Sequence, residues 1–145
     1  PPGTGDIQLT LSQKIPVAGA VIVTTPQDIA TLDARKALKM FEKVEVPVLG
    51  IVENMAVHTC SQCGHREHLF GEGGGERMAA QYGVPLLGSL PLAIAIREQG
   101  DAGQPIVVAA PESAAAQAYL AAAARLSEEL GKRPRASIPI SASLL

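Results

Sequence analysis

Tryptophan is absent from these 145 residues, and two phenylalanines and two tyrosines hold the aromatic share to 3%. Without aromatic faces there is no platform on which single-stranded nucleic acid could stack, and the core must be built from aliphatic side chains. Neither sign of charge dominates: 12 Lys and Arg stand against 14 Asp and Glu, a formal net charge of -2. That balance offers no electrostatic footprint for a polyanion, so nucleic acid is not expected as a partner. Long apolar runs are missing too. Proline, glycine or charge interrupts each one short of the roughly 20 residues a membrane helix needs, and no basic-then-apolar leader opens the sequence. A soluble, cytoplasmic protein with no membrane partner is expected. Cysteine is scarce, and its two copies, Cys60 and Cys63, lie too close together to staple distant parts of a fold.

What is present suits one folded domain: 47% hydrophobic and 18% charged residues can bury a substantial core. Asp6 caps a short helix that ends before Pro16. Val17 to Thr24 then runs apolar without alternation, the pattern of a strand buried on both faces of a parallel sheet. Thr25-Pro26-Gln27-Asp28 follows, with Thr25 as N-cap, Pro26 at the first helical position and Asp28 closing a capping box. The helix so opened carries an apolar stripe of Ala30, Ala34, Ala37, Leu38 and Phe41. Val46 to Val52 is a second buried strand, Leu86 to Leu90 a third, and Ile106 to Ala109 reads as a short strand or extended segment. Helices are expected over Glu76 to Tyr82, ended by Gly83, over Ala93 to Gln99, and over the Ala-rich Ser113 to Leu130. Strands and helices alternate, which predicts an α/β fold with a mainly parallel sheet, helices on both faces, and function at the carboxyl ends of the strands. Residues 57–75 form a long polar excursion, and residues 132–145 read as a flexible tail.

The excursion carries Cys60-Ser61-Gln62-Cys63-Gly64. This spacing lets a tight turn present two thiolates to one metal, with Gly64 able to take the positive φ such a turn needs. Zinc sites and iron–sulfur clusters usually take four protein ligands. His58, His65 and His68 are near, but they read as loop residues, and one residue between Cys63 and His65 is tighter than finger spacing. Two chains related by a two-fold axis would bring four thiolates together. Iron–sulfur ligation, a structural zinc and a redox dithiol are all open at this point. Gly73-Gly74-Gly75, flanked by Glu72 and Glu76, reads as a flexible hinge rather than a phosphate cradle.

No Gly-x4-Gly-Lys-Ser/Thr loop occurs in the sequence. Yet Pro1-Pro2-Gly3-Thr4-Gly5-Asp6, Thr24-Thr25-Pro26-Gln27-Asp28, Gly50-Ile51-Val52-Glu53-Asn54-Met55, the Cys60/Cys63 pair and Leu69-Phe70-Gly71 stand in order over about residues 1–110. Together they resemble the Mrp/ApbC branch of the ParA/MinD-type P-loop ATPases. The resemblance implies that residues 1–131 are the C-terminal part of such a domain, lacking its N-terminal P-loop part. It also implies a homodimeric carrier that delivers a [4Fe-4S] cluster to apo iron–sulfur proteins, and ATP with Mg bound and hydrolysed by the full-length protein. Carried over by motif, Cys60 and Cys63 would be the cluster ligands, Gly3 would lie beside the γ-phosphate, Asn54 would read the adenine edge, and Leu90 and Pro91 would wall the base. This chain alone, without the phosphate-cradling loop, is not expected to hydrolyse ATP. Two other readings stand beside it: a zinc-stabilised dimerisation module without enzymatic role, and a partitioning ATPase acting on a membrane or DNA. The second finds little support, since Ser113 to Leu130 holds a single basic residue, Arg125.

Overall fold

In the computed structural model, residues 5–133 are described. Three parallel strands, β1 (Ala20–Thr24), β2 (Val48–Glu53) and β5 (Leu86–Ser89), form the sheet in the order β1-β2-β5. β1 and β5 fall within the runs read from the sequence and β2 overruns its run by one residue, Glu53; mainly apolar strands are what a sheet sandwiched between helices requires. In register, Ile22 pairs with Ile51 and Ile51 with Leu86, and this row faces α2 (Asp28–Lys43) and α3 (Gly74–Tyr82). Ile22, Ile51, Ala34, Ala37, Leu38, Met78 and Ala79 form the core there. Leu38, Ile51 and Met78 are essentially inaccessible, each worth about 1.5–3 kcal/mol of burial. The alternate row, Val23, Val52 and Gly88, looks to the other side, where α6 (Ala114–Gly131) packs Ala122 against Gly88. Helix α6 reaches β5 and β2 but leaves β1 uncovered, so Val23 is 61% exposed.

Several local expectations need correction. Helix α1 (Asp6–Lys14) ends before Pro16 as read, but Gly5 is its N-cap and Asp6 its first residue. Helix α2 starts at Asp28 with Gln27 as N-cap, so Thr25 does not cap it and Pro26 is not its first residue. The reason lies far away in sequence: Pro26 is fully buried, and its carbonyl seats the first turn of α3. Ile106–Ala109 is a single helical turn, α5, rather than a strand; the Pro105 carbonyl accepts from the Val108 and Ala109 amides at 2.8 and 3.0 Å. It packs between α4 (Ile94–Asp101) and α6 with Ile106 buried. Gly74 and Gly75 are buried helix residues, so that triplet works by close packing and not as a hinge. Gly3 and tail residues 134–145 lie outside the described residues. No helix among the described residues is long and apolar enough to cross a membrane.

Candidate cysteine and nucleotide sites

The 57–75 excursion is a built element. β3 (His58–Thr59) and β4 (Arg66–Glu67) pair antiparallel, His58 with Glu67 and Thr59 with Arg66. Their turn is closed by the Cys60 amide donating to the His65 carbonyl and the Gly64 amide donating to the Cys60 carbonyl, both at 2.9 Å. Gly64 takes φ +72°, the left-handed geometry expected of it. The result is a knuckle at an exposed tip, with Cys60 half-buried and Cys63 exposed, both as free thiols.

The Cys60 thiol is held below its ordinary value, chiefly by the Cys63 backbone N–H, then by the Gln62 backbone N–H and the Cys63 side chain; slight desolvation and Glu67 oppose this. Amides aimed at sulfur stabilise the thiolate, the form that attacks electrophiles and binds metal. The shift favours the charged form in the folded state. Any stability it lends is therefore present above the unfolded value and is lost as pH falls through the folded one. In metal-free protein, alkylation of Cys60 by iodoacetamide should reach half its maximal rate at a lower pH than in the urea-unfolded chain. An equal or higher midpoint would show that the amides do not act on the sulfur.

Among the described residues, no group of three or more His, Cys, Asp or Glu is placed to hold a metal ion. The histidines have other work. His58 Nδ1 lies 3.1 Å from the Leu92 carbonyl and His68 Nδ1 lies 2.8 Å from the Ala56 carbonyl. Because a carbonyl only accepts, each ring carries its proton on Nδ1 there. Sequence reasoning saw these residues as loop histidines and missed the tethering, which no local pattern signals because both acceptors are backbone.

Asn54 follows the last residue of β2, at the carboxyl edge of the sheet. Its amide donates to the Thr24 carbonyl at 2.7 Å, and its side-chain Oδ1 accepts the Met55 N–H at 3.0 Å, which fixes the plane of the carboxamide. It lines a cavity of about 530 Å³ together with Thr24, Thr25, Asp33 and Phe41. Leu90 and Pro91 are not among the walls of that cavity. They stand beside Asn54 through the backbone instead, the Leu90 amide donating to the Glu53 carbonyl at 2.8 Å. Glu53 stands in the Gly50–Met55 motif quoted from the sequence, which assigns it no role. It is 5% exposed, and its Oε2 accepts the Gly75 N–H at 2.5 Å, so a buried carboxylate caps the amino end of α3. A glutamate closing an apolar strand ahead of a Gly-Gly-Gly helix start was the available signal.

A profile of the ParA-type NUBPL iron-transfer P-loop NTPases matches residues 1–127. The chain belongs to that family. The iron-sulfur cluster carrier protein of Pseudomonas fragi is 71% identical over 119 residues, 82% of this chain and 42% of that protein. A nucleotide-binding protein from Archaeoglobus fulgidus, solved in complex with ADP, superposes with a TM-score of 0.65 at 41% identity, covering 78% of this chain and 45% of that one. The cell division ATPase MinD of Pyrococcus furiosus superposes with a TM-score of 0.56 at 29% identity over 79% of this chain and 43% of its own. The chain thus spans less than half the length of the relatives it matches. A parallel sheet with helices on both faces is the P-loop NTPase architecture expected for this family.

Proposed function

We propose that this chain is the C-terminal part, over residues 1–131, of an iron–sulfur cluster carrier. Two copies hold one [4Fe-4S] cluster as cargo between their Cys60 and Cys63 pairs and pass it to apo iron–sulfur proteins in the cytoplasm. The observation that carries the reading is the knuckle: two thiols on an exposed tip, one of them biased toward thiolate, with no third ligand grouped with them among the described residues. Four-thiolate ligation then calls for a second chain. Exposure suits cargo, since a cluster that must leave cannot be walled in. The carrier names of the relatives point the same way.

Nucleotide control is the second half of the proposal. The full-length protein would bind ATP with Mg and hydrolyse it, with Asn54 reading the adenine edge, Leu90 and Pro91 walling the base, and Gly3 beside the γ-phosphate. The fixed carboxamide of Asn54 at the carboxyl end of β2 and the ADP held by the Archaeoglobus relative support this. Phosphate cradling and catalysis would come from the P-loop part, so this chain alone would bind no γ-phosphate productively.

Anaerobic reconstitution of the full-length protein with iron and sulfide tests the cargo. Broad visible absorption with about four irons per two chains is expected, together with a shift from monomer to dimer by sedimentation. Zinc uptake with no colour would favour the dimerisation module. A full cluster on a monomer would end the shared-site reading.

A further inference from the structure

The two candidate sites are joined by a specific piece of backbone. Strand β2 stops at Glu53, and Met55 takes a left-handed φ of 55°. Pairing with the segment after β5 then resumes. The Leu90 amide donates to Glu53 O at 2.8 Å, the Ala56 amide to Leu90 O at 2.9 Å and the Leu92 amide to Val57 O at 2.9 Å, and His58 bridges to Leu92 in parallel. Residues 56–58 and 90–92 therefore continue the sheet past Asn54 and on both sides of Pro91. The cysteine hairpin starts from the same place, since its first strand opens at His58. Both of its arms are pinned there: His58 Nδ1 to Leu92 O on the first arm, and His68 Nδ1 to Ala56 O just after the second.

Deepening the nucleotide half of the reading above, we infer that segments 56–58 and 90–92, with His58 and His68 as positioning residues, transmit base-site occupancy to the Cys60/Cys63 pair. A two-residue antiparallel ladder is marginal on its own. Without the two rings the knuckle would follow the sheet through the backbone bridge at the first residue of β3 and its covalent ends, with nothing holding the second arm. With them, a shift of Pro91 or Leu90 moves the amides and carbonyls that hold 56 and 57, and both arms of the hairpin move as one piece. The connection runs along contiguous hydrogen bonds, the physical form that coupling between sites takes. It needs no cluster to operate.

Hydrogen–deuterium exchange on the metal-free full-length protein, with and without ADP, tests this. In the wild type, ADP should slow exchange at 90–92 and, through it, at the Cys60 and Gly64 amides by at least about fivefold, the lower end of ordinary two-site coupling. In the double variant His58→Ala/His68→Ala the protection at 90–92 should persist while the ratio at the tip falls to about one. The double variant His58→Asn/His68→Asn, whose carboxamide N–H stands near the lost Nδ1–H, should restore it. The fall counts only while the tip stays protected: if the rings merely keep the hairpin folded, the Cys60 and Gly64 amides of the alanine variant will exchange at the unprotected rate with and without ADP alike and the inference fails, as it does if the tip stays protected and the ratio survives. The wild-type measurement also decides alone, whether or not a variant folds. Protection at 90–92 that never reaches the tip overturns the connection only, whereas no response at 90–92 removes the nucleotide reading and this inference with it.

Discussion

Replacing Gly74 with alanine should destabilise the fold by about 3 kcal/mol or more, the upper range for overpacking a rigid site. A Cβ on Gly74 would sit 2.1 Å from the carbonyl oxygen of Pro26, 2.8 Å from its carbon and 2.9 Å from its Cα. All three are backbone atoms of a fully buried residue, so no rotamer change relieves the overlap. The first turn of α3 would have to lift, and with it the Gly75 amide from the Glu53 carboxylate and Met78 and Ala79 from the core. Alanine's advantage in helix propensity, at most about 1 kcal/mol, cannot offset this. Gly100 in α4 is the control, because a Cβ there meets nothing within 4 Å; Gly100→Ala should be neutral or slightly stabilising. Urea unfolding of the full-length protein measures both. A loss below about 1 kcal/mol at Gly74 would mean that α3 does not seat on Pro26.

Loss of either thiol should remove cluster binding altogether. Cys60→Ser or Cys63→Ser leaves each chain with one sulfur, so a symmetric pair offers two of the four thiolates a cubane takes. The sharper expectation concerns mixtures. If each cluster spans two chains, reconstituting equal amounts of two differently tagged wild-type forms should place about half of the cluster-bearing protein in mixed pairs, because monomers join at random around the cluster. Cluster recovered only on protein that carries a single tag would show that each chain ligates independently. The cysteines lie on an exposed tip away from the core, so the thermal stability of the metal-free variants should match the wild type.

The sheet was legible because its signal is local: runs such as Val21-Ile22-Val23 and Val48-Leu49-Gly50-Ile51-Val52, without polar alternation, have few other uses. The glycine ending α3 was legible for the same reason, Gly83 taking φ +64° as C-cap. Misreadings arose where a distant contact decides. Thr25-Pro26-Gln27-Asp28 carries a helix-start pattern, but the neighbour that claims Pro26 is Gly74, 48 positions on. Ile106-Val107-Val108 has the β-branched content of a strand, yet the segment packs between α4 and α6 rather than along a sheet edge, and Ile106 is buried there within a helical turn. At the candidate sites the cysteine spacing predicted the knuckle and its left-handed Gly64. The roles of His58, His68 and Glu53 stayed hidden because each contacts backbone remote in sequence.

One architectural detail governs how experiments on the isolated 145 residues would have to be judged. Among the described residues β1 ends the sheet with no strand on its outer side, and Val23 stands beside that rim largely bare. Such a border can recruit another polypeptide by strand addition. Self-association of these 145 residues by that route would then persist under chelators and after cysteine removal, whereas pairing through sulfur would vanish under both. Sedimentation in the presence of a chelator separates association through exposed backbone from the proposed pairing through sulfur.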